Sequence, residues 1–146
     1  MKRAIIPVAT MLAIQVMVSL SVLSLSVMMP AVAKNLAIDP KLGGIFTAII
    51  YAVAATMALV AAGPILRFGS VRICQAALLM AGIGLALNAL ALVGATILAV
   101  VCIGAAQGPL NPASAHVLAQ RVPREYFGMV FSIKQTGVPV GFALAG

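Results

Sequence analysis

The sequence predicts an all-α membrane protein with about five transmembrane helices. Hydrophobic residues make up 64% of the chain and charged residues 8%, with a mean hydropathy of +1.21. That is far too little polar surface for a water-soluble domain of 146 residues. The charges stand between long apolar runs rather than within them. One run, residues 73–120, carries no fixed charge. As a single helix it would be roughly 72 Å long, more than twice a hydrocarbon core of about 30 Å, so it must fold back on itself.

The first span is expected at about residues 5–32. Met1-Lys-Arg3, an apolar stretch and Ala31-Val-Ala33 before Lys34 together resemble a secretory signal. The apolar region of a signal is only about 7–15 residues, however, and this run is far longer, so it reads as an uncleaved helix. Pro7 and Pro30 sit near its ends, where proline costs least. Gln15, Ser19 and Ser26 fall on one helical stripe with Val22. Either they hydrogen-bond neighbouring helices and their own backbone, or the stripe faces a wet cavity.

A polar connection, Lys34 to Lys41 with Asp39 inside it, leads to a second span at about 42–66 whose end is marked by Gly63-Pro64. The third and fourth spans are expected at about 73–92 and 95–120, broken near Val93-Gly94 and antiparallel because their connection is short. Arg121-Val-Pro-Arg-Glu125 is the next polar connection, and a fifth span follows at about 127–146. The whole reads as one transmembrane bundle, incomplete at its C-terminus.

With the N-terminus inside, the inner side holds Lys2, Arg3, Arg67, Arg72, Arg121 and Arg124, and the outer side only Lys34 and Lys41. This distribution predicts a multi-pass protein of the cell (inner) membrane with a cytoplasmic N-terminus. The net charge of +7 therefore reflects topology rather than a phosphate-binding face, and no nucleic-acid partner is expected. Cys74 and Cys102 lie in apolar segments at depths roughly 20 Å apart by helical rise, too far for a disulfide. The only acidic residues, Asp39 and Glu125, are in connections, and no metal-ligand spacing, nucleophile elbow or phosphate loop occurs. The expectation is no enzyme, no metal and no cofactor.

Several motifs carry a family resemblance. Gly63-Pro-Ile-Leu-Arg-Phe-Gly-Ser-Val-Arg72 resembles the signature loop between the second and third helices of major facilitator superfamily transporters. Gly63, Arg67, Gly69 and Arg72 match, while Leu66 stands where the family carries an Asp, unless that position is deleted. Gln107-Gly108 followed by Asn111-Pro-Ala-Ser114 is similar to the fourth helix of bacterial members, and the stretch from Phe131 to Gly141 to their fifth. The resemblance covers the whole chain, which corresponds to about the first third of such a transporter, its C-terminal half being the missing partner. It implies an inverted-repeat, N-terminal bundle and secondary active transport of a small solute by alternating access. It also implies a peripheral third helix, which demotes Asn88. The family's latch carboxylate is absent. Gly104 replaces the Arg often found four residues before the glycine of the fourth helix, so proton coupling through that Arg does not carry over. The stretch from Gly137 lacks the Gly-Pro pair of drug antiporters.

The residues themselves allow two readings at most positions. Gly104-x-x-x-Gly108 and Gly137-x-x-x-Gly141 put paired glycines on one helix face, suited to close packing and, functionally, to rocking between bundles. Pro109, Pro112 and Pro139 free backbone carbonyls that protein or cavity water must satisfy. Gln107 and Asn111 share a face, as cavity lining or interhelical glue. Lys134 lies roughly 10 Å along its helix from Phe127, either snorkelling to the interface or facing a cavity as a cation for an anionic solute. His116 is a packing residue or a proton handler. The expected substrate cavity comprises Gln15, Gln107, Asn111, His116 and Lys134, and a mildly basic cavity favours an anionic small molecule or ion. The alternatives are a non-transporting membrane interaction protein or an inactive fragment; a small four-helix multidrug carrier is disfavoured because the first helix lacks a buried Glu.

Overall fold

The computed structural model describes the backbone of residues 2–35 and 42–145 and the side chains of 6–28 and 44–145. Asp39, Lys41 and most of the first polar connection lie outside the described residues, as do Gly146 and the side chains of Pro30 and Lys34. Every regular element among the described residues is a helix: α1 (Lys2–Asn35), α2 (Leu42–Val60), α3 (Ala62–Phe68), α4 (Ser70–Ala89), α5 (Val93–Arg121), α6 (Arg124–Gln135) and α7 (Gly137–Ala145). Three helices are long and apolar enough to cross a membrane alone, over Ile6–Met28, Ser70–Ala89 and Val93–Arg121. The bent pair α2 and α3 makes a fourth.

Two of the expected continuous spans are broken, and proline explains both. The second changes direction by 58° between Val60 and Ala62, earlier than the expected end at Gly63-Pro64, and then continues to Phe68. Pro64 has no N–H for the carbonyl of Val60 and its ring crowds that carbonyl, so the helix yields there. The expected fifth span is two helices of 12 and 9 residues. Pro139 acts in the same way on the carbonyl of Gln135, and Thr136 bridges the break, its N–H reaching the carbonyls of Ser132 and Ile133. By contrast, α5 remains helical through Pro109 and Pro112.

The turn between α4 and α5 falls at residues 90–92, slightly before Val93-Gly94. Ala91 takes φ 51°, a left-handed conformation that costs a non-glycine residue roughly 1 kcal/mol, and Leu92 is extended. Between α3 and α4 the left-handed position is filled by Gly69, φ 85°. A Cβ there would meet nothing within 4 Å, so its conformation rather than space calls for glycine. Helix α5 ends at Val122, extended at φ −112° and ψ 131°, as the residue before a proline prefers.

Helix α5 is the centre of the bundle, packed between α4, α2 and α1, while α7 lies against α1. Helix α1 buries Met11, Ile14, Gln15, Val18, Ser19, Val22 and Leu25, a stripe at helical spacing. The core forms two layers. One joins Met11, Ile14 and Val18 to Ile65, Cys74, Ala77, Leu110 and Ala113; the other joins Val22 and Leu25 to Ile50, Ala99, Val100 and Ile103. Cys74 and Cys102 are free.

Glycines set the helix spacing. A Cβ on Gly104 would lie 2.7 Å from the carbonyl oxygen of Ile50 and 2.9 Å from Val53 Cβ, and one on Gly108 would strike the Ala54 carbonyl and lie 2.7 Å from Met57 Cβ. Thus α5 runs parallel to α2 with backbones in contact. On α7, a Cβ on Gly137 would come to 3.1 Å from Gln15 Cβ, and one on Gly141 to 2.5 Å from the Val16 carbonyl oxygen, so α7 runs parallel to α1. Gly84 does the same for the antiparallel α4–α5 pair, 2.6 Å from Ile103 Cγ1. At Gly128 nothing lies within 4 Å. Gly108→Ala should therefore destabilise the bundle by ~1–3 kcal/mol through overpacking, whereas Gly128→Ala should be neutral or stabilise by up to ~1 kcal/mol. Thermal denaturation of the two variants in detergent, followed by helical signal, checks the contrast.

Candidate functional site

Lys134 is the only fully buried side chain with a fixed charge among the described residues, at 0% exposure. The break between α6 and α7 sets it near the end of α6, where the chain turns onto α1. Its ammonium donates to Asn111 Oδ1 on α5 at 2.7 Å and to Gln135 Oε1 at 3.1 Å. It also lies 5.5 Å from the centroid of the Phe131 ring, within reach of its negative face. No carboxylate among the described residues pairs with it. Two neutral oxygens and a ring solvate this cation without neutralising it.

Buried amide oxygens without partners lie on the adjoining helices. Gln15 donates through Nε2 to Ser19 Oγ at 3.3 Å within α1, but its Oε1 is buried and unpartnered, as is Oε1 of Gln107 on α5. Gln107 stands one turn from Asn111 on the same face of α5. The Cβ of Gln15 is beside Gly137, so α1 meets the chain three residues beyond Lys134. Ser26 Oγ accepts or donates across to Thr47 Oγ1 on α2 at 3.3 Å. The stripe on α1 thus bonds to a neighbouring helix at one end and is left with an open acceptor at the other.

His116 is placed differently from the sequence expectation of a shared cavity. Its Nδ1 is 2.8 Å from Ser70 Oγ at the start of α4, and its Nε2 is 3.4 Å from Gln120 Nε2. It lines a cleft with Arg72 and Arg121 at the loop end of the bundle, whose lining includes neither Lys134 nor Asn111. The reason is helical phase: five residues from Asn111 turn the side chain well over 100° away on an α-helix. In the loop of the signature motif, Arg67 lies over the Phe68 ring at 5.3 Å from its centroid, and Leu66 is exposed.

Sequence reasoning missed the two residues that complete the Lys134 environment, Gln135 and Phe131. Their spacing was legible, at one and three residues from the Lys, but their rotamers were not. It also set Asn88 aside as peripheral. The structure buries Asn88 to 1% exposure with both side-chain polar atoms unpartnered, alongside an unpartnered Thr96 Oγ1 on the next helix. No group of three His, Cys, Asp or Glu side chains that could hold a metal occurs among the described residues.

Asn111→Leu removes the shorter of the two hydrogen bonds to a buried ammonium and should cost ~1.5–3 kcal/mol. The double variant Asn111→Leu/Lys134→Met, which removes the charge as well, should recover most of that loss. Thermal melts of the two proteins in one detergent provide the measurement, and a double variant no more stable than the single one contradicts it.

A family model described as Major Facilitator Superfamily matches residues 11–146. No curated protein and no solved structure matches the chain. The match spans α1 to α7 and includes every residue of the Lys134 cluster. Members of this family are membrane transporters rather than enzymes. With its helical bundle, its apolar spans and this match over most of its length, the chain belongs to the major facilitator superfamily.

Proposed function

We propose that this bundle is the N-terminal part of a secondary active transporter that moves a small solute by alternating access, with Lys134 as the cation that attracts an anionic group of the solute. The observation that carries this reading is the solvation of Lys134. A charge at membrane depth is costly and persists where it faces a partner or a watered path. Here its partners are two amide oxygens that an arriving carboxylate or phosphate could replace, and replacement of neutral acceptors by an anion strengthens the bond. The unpartnered oxygens of Gln15 and Gln107 offer acceptors to the donors of the same solute, on the helices packed around it. Paired glycines leave smooth α1–α7 and α2–α5 contacts, which suits small rigid-body shifts between helices. The protein would lie in the cell membrane, with the N-terminus and the Arg-rich loops on the cytoplasmic side.

Uptake into proteoliposomes by the full-length protein, screened over anionic, neutral and cationic small solutes, tests this reading. An anionic solute should be taken up, and Lys134→Gln should reduce that uptake about tenfold or more by removing a charge-assisted contact, with Lys134→Arg retaining more. Unchanged affinity and rate in Lys134→Gln would remove the proposed role of Lys134.

A further inference from the structure

We infer that the loop end of the bundle holds a binding site for the phosphate of an anionic phospholipid, apart from the Lys134 cluster and independent of the solute reading. A cleft of about 730 Å³ lies between the α3–α4 turn and the end of α5, lined by Ser70, Arg72, Gln75, His116, Gln120 and Arg121 among others. Two arginines line it from different helices, and no carboxylate among the described residues is paired with either. His116 is held by Ser70 at 2.8 Å, which fixes an imidazole and a hydroxyl side by side on the floor of the cleft. Guanidinium, hydroxyl and amide donors converging on one space suit a phosphate group. Residues 63–72 contain no Asp or Glu, so no acidic side chain competes for these cations within the loop.

Lipid rather than free phosphate is the occupant that the surroundings favour. At the mouth of the cleft Leu66, Phe68 and Val71 are exposed, at 78%, 51% and 56%, apolar surface that hydrocarbon covers and water does not. A second, apolar groove of about 200 Å³ lies deeper along the same seam, lined by Met57, Pro64, Ile73, Met80 and Pro109 among others. Pro109, His116 and Gln120 share one face of α5. The cationic cleft and the apolar groove therefore lie one beyond the other along α5, in the order that a headgroup and an acyl chain require. Arginines at the membrane surface are attracted to anionic lipid, and two in one cleft supply selectivity over a zwitterionic headgroup.

The experiment titrates the detergent-solubilised protein with phosphatidylglycerol, phosphatidylcholine or inorganic phosphate and counts retained ligand by native mass spectrometry. Phosphatidylglycerol should bind more tightly than phosphatidylcholine, and Arg72→Gln/Arg121→Gln should weaken it about tenfold or more. Arg67→Gln/Arg124→Gln, the same loss of charge outside the cleft, should weaken it much less. A photoactivatable phosphatidylglycerol on the unaltered protein should label the α3–α4 turn and the end of α5, which keeps the test independent of variant folding. Equal weakening by both double variants, labelling elsewhere, or retention of inorganic phosphate in place of lipid overturns the proposal.

Discussion

Backbone contact at glycine is the interaction on which this bundle depends. In lipid, no hydrophobic force draws apolar helices together, because the tails outside are as apolar as the side chains inside. What remains is dispersion between closely fitted surfaces, small per atom pair and large in sum. The bundle brings α5 against α2 at Gly104 and Gly108, α7 against α1 at Gly137 and Gly141, and α4 against α5 at Gly84. At Gly104, Gly108 and Gly141 the facing backbone stands where a methyl group would have to go, at Gly84 the Ile103 side chain does, and at Gly137 the fit is tight. Removing that closeness would separate the very helices that carry Gln15, Asn111 and Lys134.

The polar cluster is a consequence of that closeness. Gly137 lets α1 approach immediately after Lys134, and the break at Thr136, forced by Pro139, sets the end of α6 against α5 and α1. An ammonium in such a setting needs oxygen, and Asn111 and Gln135 supply it. Both are neutral, so they solvate the ammonium without cancelling its charge. An ion pair would have quenched it. The same helices leave two buried amide oxygens open at Gln15 and Gln107. Unpartnered acceptors are rare in protein interiors and mark places where water or a ligand belongs.

The loop end follows other rules. There the arginines are exposed beside exposed Leu and Phe. Gly69, held in a left-handed conformation, turns the chain sharply enough for Ser70 to reach His116 across 46 residues of sequence. One residue without a side chain thus joins two segments into a cleft, much as Gly137 joins two helices at the buried cation.

Composition by itself determined the class: a chain with 8% charge and 64% hydrophobic residues cannot hide its apolar surface from water and must be helical in lipid, where every backbone group has to bond within its own segment. The paired glycines and the resemblance of the 63–72 loop were legible for the same reason, since glycine spacing and charge position depend only on local order. Tertiary structure decided what local order cannot. Pro64 and Pro139 accompany breaks in their spans while α5 stays helical through Pro109 and Pro112, a difference that the presence of proline alone does not give. Gln135 and Phe131 joined Lys134, His116 turned to Ser70, and Asn88 was buried despite its helix being expected at the edge, because rotamer and partner are set by neighbouring helices. Helical phase says which residues share a face; only packing says which face meets which.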